Sequence, residues 1–175
     1  MDEGALRIAV VSDTHSAPHE RADARLAELA PHAILHGGDV GDLSVLDALA
    51  KRAPVIAVRG NVDGHVLPDF VTIDVRGPEG SLLVILLTHW AVQGPLLRPE
   101  IARLAAKEGA SLVVCGHSHL PLIAQDRSGV AVFNPGSIGP RRFRLPIALG
   151  VIEVTRAEGV RLRHIDCETG SAWRP

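Results

Sequence analysis

Aromatic residues are scarce in this chain of 175 residues: there is no Tyr, and there are three Phe and two Trp. A core must therefore be built from Val, Leu, Ile and Ala. Stacking platforms for single-stranded nucleic acid need aromatics, so that function class starts disfavoured. Cysteine is also rare. Cys115 and Cys167 are too few for a disulfide framework, and Cys115, without a partner at useful spacing, reads as a small buried hydrophobe. Long apolar runs are missing: the longest strongly apolar stretch, Leu82 to Leu87, is far short of a membrane span. The start, Met1-Asp2-Glu3, is acidic and lacks a hydrophobic signal region. No basic block stands out and the net charge is −2 with nine His taken as neutral, so affinity for a nucleic-acid backbone is not implied. Together these absences predict a soluble, cytoplasmic protein with no membrane role. Two motifs are absent as well. Without GxSxG or a Walker-type glycine loop followed by Lys, a serine elbow and nucleotide-driven phosphotransfer are both disfavoured.

What is present reads as one domain over residues 1–175, long enough for a sizeable core. Residues 7–11 (RIAVV) are short, apolar and β-branched, the pattern of a buried parallel strand. Residues 19–30 carry apolar positions at helical spacing with charges between them. A second strand at 33–35 runs into Gly37-Gly38-Asp39. A second helix is predicted over 43–53, capped by Asp42 or Ser44 and stopped by Pro54. A third strand, 55–58, precedes Gly60-Asn61. The pattern then changes to hairpins: 70–76 with 81–87, 122–126 with 130–134, and 148–155 with 160–165. Between them stand a helix at 99–108, stopped by Gly109, and a strand at 112–115. Two sheets packed together with helices outside satisfy this layout.

Five of the apolar runs end in metal-ligand residue types. The endings are Asp13 and His15, Asp39, Asn61, His89, and His117 with His119. Strand C-termini in a parallel sheet share one edge, so Asp13, Asp39, Asn61 and His117 are expected to emerge together. Carboxylate oxygen, amide oxygen and imidazole nitrogen suit hard and borderline divalent cations. Each piece has a plain alternative. Asp13 could cap a helix beside a surface His15, the glycines before Asp39 could serve a turn, Asn61 could be a left-handed turn residue, and His89 could be a core-edge His. Gly116-His117-Ser118-His119 is the most specific piece, because two His one residue apart suit two neighbouring ions. A carboxylate can hold two cations at once, which marks Asp39 as a bridge.

The order DxH, GD, GNxD, H, GHxH resembles the calcineurin-like metallophosphoesterase superfamily. Gly60-Asn61-Val62-Asp63 and Asn134-Pro135-Gly136-Ser137 resemble its small prokaryotic phosphodiesterase branch, a branch that also holds the metal-poor retromer scaffold subunit. The resemblance implies an α/β fold, a four-layer αββα sandwich of two mixed sheets flanked by helices. It implies that Asp13, His15 and His119 hold one ion, that Asn61, His89 and His117 hold a second, and that Asp39 bridges them. Asp39, Asn61 and His117 are the expected catalytic residues. The implied activity is a metal-dependent phosphodiesterase that hydrolyses a phosphoester bond with a two-metal-activated hydroxide. Manganese is the first choice of cofactor, with Fe, Co, Ni or Zn open. A small phosphodiester is the expected substrate, nucleic acid is disfavoured, and a homo-oligomer is left open. The alternatives are a non-catalytic interaction scaffold on the same fold, or a nuclease for short oligonucleotides.

Two departures from the family pattern bear on the chemistry. Many members have His directly after the Asn, as an acid or donor; here Val62 stands there and can give neither. His65 is the nearby substitute, or an exposed loop His. The branch commonly has Gly and His after the His89 position, where this chain has Trp90-Ala91. Around the ligands, Asp63 is expected to orient Asn61 or cap a turn, and His36 to stack behind the ions or to be a buried neutral His. Among Arg141, Arg142 and Arg144, either one could reach a substrate phosphate, with Arg141 the first candidate, or the three form a solvated charge cluster.

Overall fold

The computed structural model describes residues 5–155 and 158–174. The acidic start Met1-Asp2-Glu3 and residues 156–157 of the last hairpin's turn lie outside the described residues. In chain order the first half contains β1 (Leu6–Val11), α1 (Glu20–Leu29), β2 (Ala33–His36), α2 (Ser44–Ala50) and β3 (Val55–Ala57). Then follow β4 (Phe70–Gly77), β5 (Gly80–Thr88), β6 (Val92–Gln93), β7 (Leu96–Leu97), α3 (Pro99–Glu108) and β8 (Leu112–Val114). The chain closes with β9 (Leu122–Gln125), β10 (Ala131–Asn134), β11 (Ala148–Thr155), β12 (Gly159–Asp166) and β13 (Ala172–Trp173).

The strands form a sheet of order β13-β12-β11-β1-β2-β3, a second of order β4-β5-β8-β10-β9, and a small β6-β7 ribbon. Both large sheets are mixed. β1, β2 and β3 run parallel, as do β5, β8 and β10, while the flanking pairs are antiparallel. Alternation along β1 shows how the layers arise. Successive strand side chains point to opposite faces, so Ile8 and Val10 meet Ile85, Leu87, Val114 and Phe133 of the second sheet. Ala9 and Val11 face the other way and pack with Leu26 of α1 and Val45 and Leu49 of α2. On the far side, Leu86, Val113 and Val132 pack against Ala105 of α3. The result is the expected αββα sandwich. Its poverty in Phe and Trp is visible in the core, where Phe133 is the one Phe or Trp ring fully buried among the described residues.

The helix ends follow local chemistry. α1 starts at His19, whose Nδ1 accepts the Arg21 N–H at 3.3 Å, and Glu20 and Asp23 place negative charge at the positive end of its dipole. α2 is shorter than the predicted 43–53. Asp42 Oδ1 accepts the Ser44 N–H at 2.8 Å and starts it. Residues 51–53 leave the helix ahead of Pro54, which disfavours helical backbone in the residue before it. α3 begins on Pro99 and ends at Gly109 with φ 65°, as the sequence predicts. The expectation of one shared sheet edge needs correction. The loops after β1, β2 and β3 leave the first sheet, but those after β5 and β8 leave the second. The candidate residues therefore gather where the C-terminal ends of two facing sheets meet. No helix among the described residues is long and apolar enough to cross a membrane.

Candidate metal centre

Five loops deliver the seven candidate residues to this meeting point, and their backbones are unusual. Eight described residues other than glycine have positive φ, and five of them are Asp13 (56°), His15 (45°), Asp39 (53°), His117 (72°) and His119 (58°). Left-handed backbone costs an L-residue about 1–2 kcal/mol, and Asp and His enter it more readily than most types. Strain of this kind concentrates where side chains must be aimed at a common point.

Glycines let the loops close in. A Cβ at Gly60 would collide with the backbone N and Oδ1 of Asp39, and one at Gly116 with Ser12 Oγ. The loops are also tied by buried and half-buried polar side chains. Asp63 Oδ2 accepts N–H groups from Gly60 at 2.7 Å and Val40 at 3.1 Å, and its Oδ1 accepts from Gly41 at 2.8 Å. Asp63 thus binds the Asp39 loop to the Asn61 loop through backbone, and no bond to the Asn61 side chain accompanies these. Asn134 Nδ2 donates to Gly116 O at 2.7 Å and to Ser118 Oγ at 3.1 Å. Ser137 Oγ donates to Asp13 O at 3.0 Å. These two residues of the Asn-Pro-Gly-Ser stretch therefore brace the ligand loops, a role that nothing in the sequence alone assigned to them.

The side chains converge into two overlapping groups. In the first, His15 Nε2 and His119 Nε2 are 3.3 Å apart, Asp13 Oδ1 lies 3.4 Å from His119 Nε2, and Asp39 Oδ2 lies 3.6 Å from His15 Nε2. In the second, Asp39 Oδ1 lies 3.5 Å from His89 Nε2, and Asn61 Oδ1 lies 3.1 Å from His89 Nε2 and 2.8 Å from His117 Nδ1. Ligand atoms at about 2.0–2.1 Å on one tetrahedral ion stand roughly 3.3–3.4 Å from each other, so these separations fit a cation between them. Both Asp13 with His15 and His119, and Asp13 with Asp39 and His89, are compact enough to hold an ion.

Hydrogen-bond chemistry gives an independent test of fit. The Gly37 carbonyl can only accept, so His89 Nδ1 carries a proton and donates to it at 2.7 Å. That leaves His89 Nε2 facing Asp39 Oδ1 and Asn61 Oδ1, which are acceptors. A neutral imidazole would aim a lone pair at two oxygens. The cluster therefore needs positive charge there, either a proton or a metal cation.

The titration behaviour follows. Burial pulls the His89 pKa down, but the Asp39 carboxylate, Asp13 and the Gly37 carbonyl outweigh it and the net shift is upward. Burial pushes the Asp13 carboxyl up to about 6, with Asp39 adding to the rise against the opposing pull of Ser12 and His89. At Asp39 burial also pushes upward, yet the bond from His89 and the Val62 N–H at 3.1 Å win and hold it well below the usual carboxylate range. His119 is lowered to about 4 by burial, then by Arg142 and His15.

Three further residues depart from, or refine, the sequence reading. His36 is fully buried behind the loops. Its Nδ1 accepts the Gly38 N–H at 3.2 Å, so its Nε2–H donates to Thr14 Oγ1 at 3.1 Å, and that hydroxyl donates to Val40 O at 2.9 Å. Burial lowers it to about 4, so it stands behind the loops as a buried neutral His. Arg141 does not reach the centre: it donates to Leu145 O at 2.7 Å and pairs with Glu168. Arg142 takes that place, with Nη2 3.3 Å from His15 Nε2. The sequence offered three arginines within four positions and no signal to choose among them. Val62 is exposed and touches Asp39 only through its backbone N–H, and His65 is exposed. Cys115 is buried, and burial pushes its thiol up to about 12, as expected of a structural cysteine.

Comparison with known proteins follows the same line. The calcineurin-like phosphoesterase superfamily domain matches residues 6–157. The chain belongs to that superfamily. Two relatives named probable metallophosphoesterase are similar along most of it. The Methanothermobacter thermautotrophicus protein is 30% identical over 178 residues, covering 95% of this chain and 94% of its own. MJ0623 of Methanocaldococcus jannaschii is 34% identical over 138 residues, covering 77% and 69%. Phosphodiesterase YfcE of Escherichia coli is 34% identical over 103 residues, 57% of this chain and 52% of that protein. Its solved structure superposes with TM-score 0.62 over 97% of each chain. Vacuolar Protein Sorting 29 from Cryptosporidium parvum shares the fold with TM-score 0.76 at 18% identity, over 97% of this chain and 95% of that one.

Proposed function

We propose that this superfamily member is a phosphodiesterase acting on a small diester. Asp13, His15 and His119 would hold one divalent ion, Asn61, His89 and His117 a second, and Asp39 would contact both. The carrying observation is the split of the Asp39 carboxylate, Oδ2 toward His15 and Oδ1 toward His89. The donor set suits Mn, Fe, Co, Ni or Zn, with manganese the first to test. Bound there, such ions supply Lewis acidity, which acidifies water and offsets charge on the phosphoryl oxygens.

The chain's own groups do the rest. Asp39 and Asp13 contribute the negative charge that retains cations in a buried site. Gly37 O fixes the His89 tautomer so that Nε2 presents a lone pair. Arg142 is placed to pair with a phosphoryl oxygen. Nothing at Val62 protonates the leaving group, so diesters with acidic leaving groups are favoured, by about 10²–10⁴-fold if general acid help is wholly lacking. Retention of all seven ligand types speaks for catalysis rather than a scaffold role.

The test is hydrolysis of bis-p-nitrophenyl phosphate by manganese-loaded protein, with metal content measured in parallel. About two ions per chain and measurable turnover are expected. Asp39→Asn, whose amide bridges cations poorly, should lose activity by at least about 10³-fold, since each ion supplies several kcal/mol. Full activity in Asp39→Asn sinks the reading.

A further inference from the structure

The chain has five aromatic residues other than His, and it spends few of them on its core. Phe133 alone is buried, Trp173 covers His164, and Phe70, Trp90 and Phe143 are exposed. Trp90 is 48% exposed and its ring centroid lies 5.1 Å from that of His117. In a protein with so little aromatic surface to place, an indole at the rim of the centre is a feature to account for.

A cavity of about 250 Å³ opens beside the centre and is lined by Arg59, Asn61, Asp69, Thr88, His89 and Trp90. Two of these, Asn61 and His89, are candidate ligands, so the cavity is continuous with the metal centre. It is smaller than the roughly 300 Å³ at which whole-ligand pockets begin, and so suits one substituent of a substrate. The indole is held in place from outside this space. The Arg98 guanidinium lies over it at 3.8 Å from the centroid, and Arg98 Nη2 pairs with Glu100 at 2.5 Å. Arg98 covers one face of the indole and the His117 ring lies beside it, and the exposed remainder of the ring borders the cavity. Arg59 and Asp69 of the same lining pair with each other and bring a donor and an acceptor to the cavity.

We propose that this cavity receives one esterified group of the substrate and that Trp90 makes a flat aromatic ring the preferred group there. Trp90 is then a specificity-determining residue of the reaction proposed above, on which this inference rests. The ring's source is either a simple aryl group or a nucleobase. Both present a π-face to the indole, but only a nucleobase presents edge donors and acceptors to Arg59 and Asp69.

The test compares three phosphomonoesters as competitors of bis-p-nitrophenyl phosphate hydrolysis: methyl phosphate, phenyl phosphate and thymidine 5′-phosphate. Stacking predicts that phenyl phosphate inhibits at about tenfold lower concentration than methyl phosphate. In Trp90→Ala that ratio should fall to near one, and in Trp90→Phe most of it should remain. Thymidine 5′-phosphate binding more tightly than phenyl phosphate assigns the cavity to a nucleobase; equal or weaker binding assigns it to an aryl group. Equal inhibition by methyl and phenyl phosphate, or an unchanged ratio in Trp90→Ala, overturns the proposal. Trp90 is the sole tryptophan in Trp173→Phe, and its emission reports ring binding without turnover. An inactive protein would therefore defeat the phosphodiesterase reading while this binding test still returned an answer on the cavity.

Discussion

The two halves of the centre are built to different depths. Asp13 and His119 are sealed from solvent and His15 is half-buried, whereas Asn61 and His117 are exposed and only His89 on that side is buried. The deep half sits on loops from β1 and β8, with Ser137 and Asn134 closing in behind. The open half borders the cavity at Trp90. The difference separates two tasks. A desolvated half keeps its candidate ligands dry and strengthens every charge interaction inside it. An exposed half leaves room for a substrate to enter.

The comparison breaks first if the two histidines of the GHSH loop prove equivalent. His119→Ala removes a buried ligand from the deep half and should cost on the order of 10³-fold in kcat/KM with manganese, because an ion bound there supplies several kcal/mol. His117→Ala removes a proposed ligand at an exposed position where water can take its place, and should cost less, on the order of 10–100-fold. Kinetics on bis-p-nitrophenyl phosphate with metal content for each variant decide it. Equal losses would mean that depth does not separate the two halves.

Acid stability probes the packing behind both halves. His36 has a folded pKa of about 4 against its ordinary 6.5, because burial disfavours its charged form. Above 6.5 both folded and unfolded chains hold it neutral, and its full contribution is present. As pH falls from 6.5 to 4 the unfolded chain takes up a proton that the folded one refuses, so stability drops by about 3 kcal/mol. Asp13, with its carboxyl raised to about 6 from 3.8, acts in the opposite sense: folding takes up a proton there, so acidification between those values favours the metal-free fold. The His36 contribution is therefore read as a difference. The stability gap between wild type and His36→Gln, measured by urea unfolding of metal-free protein, should shrink by about 3 kcal/mol between pH 7 and pH 4. A gap that does not change with pH would mean that His36 is not held neutral behind the loops.

Much of this architecture was legible in the residues. Strand periodicity and Gly or Pro stops placed the main strands and the three helices of the described residues, because burial on one or two faces leaves a repeat in the sequence. The ligand types were legible because each follows an apolar run. The depth difference was not. Exposed His117 and buried His119 stand on one loop, so depth depends on what packs over each side chain, and that long-range packing leaves no local mark. The choice of Arg142 over Arg141 was hidden for a similar reason: it depends on where Glu168, 27 residues away, captures a guanidinium. The short β6-β7 ribbon and β13 also escaped notice, since two-residue strands carry no periodicity.

Asp63 offers the finest test of the two-half picture. Its carboxylate accepts three backbone N–H groups, from Val40, Gly41 and Gly60. Those bonds reach the loops of Asp39 and Asn61 and none of the residues after β1 or β8. Asn at this position has one accepting atom in place of two and turns an N–H donor toward a backbone donor, so at least one of the three bonds is lost. Asp63→Asn should then weaken binding of the ion on the Asn61 side by about ten- to a hundredfold, the usual scale for losing a group that orients ligands. Binding on the Asp13 side, which shares only Asp39 with these loops, should weaken less. A manganese titration that resolves two steps reads both constants in one experiment. A parallel weakening of both steps would show that Asp63 supports the centre as a single unit, and the division into a deep and an open half would no longer describe how it is held together.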